Sequence, residues 1–142
     1  MIMEKIKIRL ANQDDISLLA HMYRILVEDE KAPELPDISD CEAKMIAFLD
    51  NVYIAYIFYN DETILGYALV DHSTEPLYLK HFMINRENRR NQNGTKTFNL
   101  LLNHLGINTI EIEVFHWNER GKKFWNSLGF KPKHIRMIYE KE

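Results

Sequence analysis

Residues Lys5 to Ala11 set Ile6, Ile8 and Leu10 against Lys5, Lys7 and Arg9, the period-two alternation of a strand with one buried face. Behind it, Asn12 and Asp15 have the spacing of an N-cap with an acid reaching back. Ile16, Leu19, Ala20, Tyr23 and Val27 then recur at helical spacing, which predicts a first helix to about Glu28. The acidic, proline-broken stretch Glu28 to Asp37 reads as a connector. Ser39 with Glu42 is a second capping box, leading a helix that carries Ala43, Ile46, Ala47 and Leu49.

From Asn51 the texture changes. Tyr53 to Tyr59 and Ile64 to Val70, rich in β-branched and aromatic residues, flank Asn60-Asp61-Glu62 and predict a hairpin. Leu77 to Ile84 is partly apolar on both parities, as a central strand is. Phe98, Leu101, Leu102 and Leu105 give a helix ending near Gly106, and Ile110, Ile112 and Val114 alternate as a strand. Asn118 caps a helix through Leu128 that Gly129 closes, and Phe130 to Tyr139 has the character of a last strand. The order β-α-α-β-β-β-α-β-α-β predicts an α/β (α+β) fold, a mixed sheet covered by helices, with residues 1–142 as one domain.

Composition narrows the function. A net charge of −3 argues against nucleic-acid binding, which needs clustered Lys and Arg, and no basic amphipathic helix suits a membrane surface. No apolar run approaches the ~20 residues that span a bilayer. A lone cysteine, Cys41, and a start without a long apolar region lead us to expect a cytoplasmic protein. The six histidines are scattered without metal-ligand spacing, so no metal site is expected.

Anion-binding chemistry is visible in one place. Arg89-Arg90-Asn91-Gln92-Asn93-Gly94 lies where a strand pattern ends and a helical one begins, so backbone N–H groups and the positive end of a helix dipole face whatever sits before them. A second motif follows about two dozen residues later: Asn118-x-x-Gly121-x-x-Phe124-Trp125-x-x-Leu128-Gly129-Phe130. The ordered pair resembles the GNAT N-acetyltransferase superfamily, in detail through the carboxyl half and by element order in the amino half. The resemblance implies a largely antiparallel sheet of six to seven strands flanked by about four helices. It further implies an N-acetyltransferase that moves an acetyl group from acetyl-CoA, as cosubstrate, to a small-molecule or peptide amine by direct attack on the thioester. By analogy it also implies a homodimer.

Residue by residue, the resemblance assigns the coenzyme pyrophosphate to Arg89, Arg90, Asn91, Gln92, Asn93, Gly94 and Thr95. The pantetheine arm falls to the backbone at Phe82 and Ile84, with Asn118 helping to order it. Trp125 stands where many members have an acid tyrosine; an indole N–H only donates, so the thiolate, whose pKa is ordinarily ~8.5, would leave unaided. Tyr78 and His81 are the candidate bases on the preceding strand. Glu28, Asp29 and Glu30, at a helix carboxyl end where the dipole disfavours them, are candidates for binding a cationic acceptor. Gln92 replaces a glycine of the family's loop, and Gln92→Gly is expected to tighten coenzyme binding. Gly121, unfavourable in a helix by about 1 kcal/mol, suggests close approach of a backbone or of the cofactor arm. An acyl-CoA-binding module with little or no transferase activity, and a nucleotide-binding regulator, are the competing expectations.

Overall fold

The computed structural model describes residues 5–89 and 92–142. Its order is β1 (Lys7–Leu10), α1 (Ile16–Asp29), α2 (Ile38–Leu49), β2 (Tyr53–Asn60), β3 (Thr63–Asp71), β4 (Leu77–Ile84), α3 (Asn93–Leu105), β5 (Ile110–Ile112) and α4 (Glu119–Ser127). The strands form one sheet in sequence order. β1 to β4 pair antiparallel, whereas β5 returns through α3 to lie parallel to β4. The predicted α/β class and mixed, mostly antiparallel sheet are therefore present, with four α-helices among the described residues.

Strand alternation explains how the sheet is covered on both faces. Ala55, Ile57, Tyr67, Leu69 and Met83 point to one side, where they pack against Leu19, Ala20, Met22 and Tyr23 of α1 and Cys41 and Met45 of α2. Tyr56, Phe58, Ala68 and Val70 point to the other and meet Phe98 and Leu101 of α3, with Trp125, Leu128 and Phe130 at their margin. Both parities of β2 and β3 are thus consumed by core.

Local chemistry sets most boundaries. The Asn12 side chain and Asp15 form the expected capping box, over a short 3-10 turn that leads into α1. For α2 the cap is Asp37, which accepts from the Asp40 N–H at 2.8 Å, so Ser39 falls inside the helix instead of in front of it. α4 closes with Gly129 at φ 100° and the Phe130 N–H donating to the Trp125 carbonyl.

The expected sixth strand is absent among the described residues, and the sheet has five. Residues 131–142 hold no strand, and Ile135, Met137, Ile138 and Tyr139 are 84–87% exposed. Alternation supplies a buried face only if another strand completes the hydrogen-bond ladder, and here none does.

Candidate active site

β4 and β5 part company early, and that separation opens the cavity. Their pairing covers only Leu77 to Leu79 against Ile110 to Ile112. On its other side β4 carries a bulge: Leu69 faces His81 and Val70 faces Leu79, leaving Lys80 as the extra residue. A bulge bends its strand and increases the twist, so Lys80 to Ile84 diverge from β5 with one backbone edge unpaired by any strand among the described residues. The cleft holds about 330 Å³, lined by Leu79 to Ile84 without His81, by Ile112 to Val114, and by the first turns of α3 and α4.

Phe82 and Ile84 line this cleft, as do Arg89, Gln92, Gly94, Thr95, Asn118 and Trp125. Arg90 and Asn91 lie outside the described residues. α3 starts at Asn93 with no side-chain cap, and the Lys96 N–H closes a turn onto the Gln92 carbonyl. The Asn93 side chain turns back to donate to the Asn88 carbonyl at 2.7 Å. Gln92 itself sits at φ 60°, the left-handed region that the family's glycine would enter freely. Gly94 lies beneath Phe124, where an added Cβ would come within 2.9 Å of the ring.

Arg89 is committed to the protein. Its Nε donates to the Ile84 carbonyl at 2.6 Å and its Nη2 to Asp29 at 2.7 Å. Arg86 spans Glu28 and Asp29 at 2.9 and 2.7 Å. Burial works to raise the Asp29 pKa, and hydrogen bonds from Arg86 and Arg89 together outweigh it, holding the carboxyl below its usual range. The acidic cluster is thereby divided, because Glu28 and Asp29 are paired while Glu30 makes no ion pair among the described residues. Burial, and then the neighbouring Asp29 charge, push the Glu30 pKa up to about 7. Lys31 at φ 53° turns the chain as a helix closes, its N–H on the Glu28 carbonyl, and so fixes Glu30 at the cleft wall. The Trp117 indole donates to the Glu30 and Lys31 carbonyls at 3.0 and 3.1 Å.

The two candidate bases on β4 do not reach this cavity's lining. His81 is buried on the α1–α2 side, stacked on Tyr23 at 4.5 Å, with the Tyr67 hydroxyl 3.0 Å from Nδ1. Burial, then the Lys80 charge, lower its pKa to about 3. A histidine on a strand apolar at both parities faces core on whichever side it falls. The Tyr78 hydroxyl donates to Glu113 at 3.1 Å; burial and then the Glu113 charge raise its pKa, so it stays a phenol. Glu113 and Arg120, which sequence reasoning missed, also line the cleft.

Asn118 caps α4, its Oδ1 accepting from the Gly121 N–H at 3.0 Å. The close approach at Gly121 belongs to that cap, since a Cβ there would stand 2.5 Å from Asn118 Nδ2. Trp125 is enclosed by the rings of Phe82, Phe98, Phe124 and Phe130 at centroid distances of 4.9 to 5.8 Å. It serves as a wall.

Among solved structures, the fold is similar to a possible acetyltransferase from Clostridium difficile 630, with TM-score 0.78, 19% identity and 98% of each chain covered. The aminoglycoside N-acetyltransferase AAC(6')-Iy in complex with CoA aligns with TM-score 0.72 and 15% identity over 99% of this chain and 97% of that one. A predicted acetyltransferase with acetyl-CoA from Clostridium acetobutylicum aligns with TM-score 0.70 and 17% identity over 96% of each. No curated protein matches the chain. The family model described as acetyltransferase (GNAT) domain matches residues 8–141, nearly the whole chain. With that match running from β1 past α4, and the cleft between β4 and β5 in front of α3, the chain belongs to the GNAT acetyltransferase family.

Proposed function

We propose that the protein transfers an acetyl group from acetyl-CoA to a cationic amine, with Glu30 as the proton acceptor. The observation that carries this reading is the unpaired edge of β4 between Lys80 and Ile84, leading to the uncapped start of α3. An extended amide-bearing arm is bound well by such an edge, as an added strand would be, and a pyrophosphate by a helix start beyond it. Acetyl-CoA has both parts in that order, and two of the structural neighbours are complexes with CoA or acetyl-CoA.

In this reading the backbone of Phe82 and Ile84 orients the arm. Asn93, Gly94 and Thr95 offer N–H groups to the phosphates together with Arg90, Asn91 and Gln92, and Asn118 Nδ2 is available beside the arm. Bound there, the thioester supplies an activated acyl carbon. Glu30 and Glu113 attract the ammonium form of the acceptor. Glu30, titrating near neutrality, first takes one proton from the ammonium and so frees the nitrogen lone pair; as that nitrogen bonds the acetyl carbon and the carbon–sulfur bond breaks to release thiolate, the second N–H proton passes to solvent or to the departing sulfur. Trp125 packs against Phe82 and excludes water.

Thermal shift with acetyl-CoA, desulfo-CoA and ATP, followed by thiol release across an amine panel, tests this. We expect stabilisation by both coenzymes and thiol release that Glu30→Gln lowers at least tenfold. No stabilisation by either coenzyme overturns the proposal. Stabilisation without thiol release favours an acyl-CoA-binding module, the reading supported by Trp125 standing where no proton donor meets the leaving sulfur.

A further inference from the structure

Three cationic side chains line the cleft among the described residues, Lys80, Arg89 and Arg120. Arg89 is taken up by Asp29 and the Ile84 carbonyl. Arg120 makes no ion pair among the described residues, and it stands in the first turn of α4 beside Asn118, on the side assigned to the coenzyme arm. Lys80 is placed differently. Because α3 follows the end of β4, a coenzyme laid along Phe82 and Ile84 toward α3 has its thioester pointing back to the bulge. Lys80 precedes Phe82 by two residues, about 7 Å of strand, and so lies at the end where the acceptor enters. Its ammonium sits over the ring of Phe48 from α2, 5.5 Å from the centroid, and over that of Tyr53 from β2 at 5.9 Å. Those two rings meet edge to face at 5.2 Å. A ring face attracts a cation without occupying its N–H donors. Lys80 makes no ion pair among the described residues, and Asp71 on the neighbouring strand accepts instead from the Ser73 N–H and hydroxyl at 2.8 and 2.6 Å.

We propose that the acceptor carries a carboxylate as well as its amine, and that Lys80 binds this carboxylate; the inference rests on the acetyl-transfer reading above. Glu30 and Glu113 line the same cleft from the end of α1 and from beyond β5, so the site holds both signs of charge on separate elements. That is the complement of a zwitterion. The carboxylate gives the Lys80 ammonium the charge-assisted hydrogen bonds that no described side chain supplies, while the acids take the ammonium end of the acceptor. The aromatic pair fixes the lysine beforehand, which lowers the freedom lost when the acceptor binds. A diamine meets repulsion at the same point, so Lys80 also selects against acceptors that are cationic at both ends. The cleft holds about 330 Å³ and is shared with the coenzyme arm, which restricts the acceptor to an amino acid or a short peptide.

The test is thiol release from acetyl-CoA with L-alanine, L-phenylalanine, L-lysine and L-alanyl-L-alanine, each against its carboxamide, and with putrescine. At least one acid is expected to exceed its carboxamide and putrescine by about tenfold in kcat/KM, and the alanine and dipeptide arms separate an amino acid from a peptide. Lys80→Gln should bring that acid-to-amide ratio within about threefold of one, through the KM of the acid. Lys80→Arg and Arg120→Gln should each keep the preference, and melting curves show that the variants fold. Amides or putrescine used as well as the acids by the wild type, a preference that survives Lys80→Gln, or one lost with Arg120→Gln instead would each overturn the proposal. If no acceptor releases thiol, the transfer reading fails, and calorimetric titration of the same pairs onto protein saturated with desulfo-CoA decides this inference separately. Acid binding about tenfold tighter than amide binding, and lost in Lys80→Gln, upholds it; equal binding, or none, overturns it.

Discussion

Replacing Gln92 by glycine isolates one feature of the coenzyme loop. Gln92 holds φ 60° and ψ 29° directly before α3, makes no cap bond, and is exposed, so its side chain contributes little beyond its steric cost. The left-handed region costs an L-residue about 1–2 kcal/mol, and glycine relieves that. Glycine's freer unfolded chain returns about 0.5–1 kcal/mol of the gain, leaving a net stabilisation of about 0.5–1 kcal/mol. At ~2.1 cal/mol/K per residue, a chain of 142 residues has an unfolding entropy of about 0.3 kcal/mol/K, so Tm should rise by roughly 2–3 °C. The sequence alone led us to expect tighter coenzyme binding instead. Because the left-handed turn belongs to the folded loop that starts α3, the strain is relieved in folded protein with or without ligand, and coenzyme affinity should move less than about threefold, or ~0.6 kcal/mol. Differential scanning fluorimetry and calorimetric titration with acetyl-CoA measure the two separately. Gln92→Ala keeps the Cβ and with it the strain, so its Tm should stay within about a degree of wild type. An unchanged or lower Tm for Gln92→Gly, or a gain matched by Gln92→Ala, would refute the assignment of strain to this residue. A tenfold gain in affinity without a Tm change would place the left-handed turn in the bound loop only.

Glu30→Gln tests the raised carboxyl. Its folded pKa of about 7 exceeds the ordinary 4.5, so the folded chain binds the extra proton in that window and wild type loses stability as pH rises from 4.5 to 7. The variant should be the more stable at pH 8, by on the order of 1–2 kcal/mol after solvent screening, with the difference vanishing below pH 4.5 in urea titrations. His81 runs the other way. Its folded pKa of about 3 lies below 6.5, so its stability is present above 6.5 and is lost as pH falls toward 3; His81→Phe should flatten that acid limb in urea denaturation. It should also cost about 1–3 kcal/mol at pH 7 by stranding the Tyr67 hydroxyl, while thiol release falls no more than about threefold. Gly66→Ala should be the most damaging, by 3 kcal/mol or more in the same assay, because its Cβ would overlap the Met83 carbonyl and stand 2.9 Å from Ile84 Cα, displacing the free end of β4.

Much of the fold was legible because the chain's local signals agree with one another. The Asn12–Asp15 box, the hairpin about Asp61, and the glycines that end α3 and α4 each act over four residues or fewer, and each appears where the sequence placed it. The site was legible as a region and much less so as a set of roles. Phe82, Ile84, Gln92, Gly94 and Asn118 do gather at one cleft. Their gathering depends on the bulge at Lys80, which leaves no mark on the apolar pattern of β4. His81 was a candidate base by its chemistry alone, and the both-parity character of its strand was the available signal that it would be packed. The tail was judged by alternation, which reports a preference for pairing and not the presence of a partner.

The acidic cluster shows most clearly why roles resist local reading. Glu28, Asp29 and Glu30 are adjacent and alike, and the helix dipole disfavours all of them. What separates them is Arg86 and Arg89, nearly sixty residues downstream, which take Glu28 and Asp29 and leave Glu30 with a neighbouring negative charge and no ion-pair partner among the described residues. Arg89 binds the Ile84 carbonyl with the same guanidinium. One side chain therefore ties the end of β4, where the loop toward α3 begins, to the carboxylate whose charge raises Glu30. An arginine that the sequence offered as an anion ligand is, in the fold, also the group that joins the end of β4 to the carboxyl end of α1.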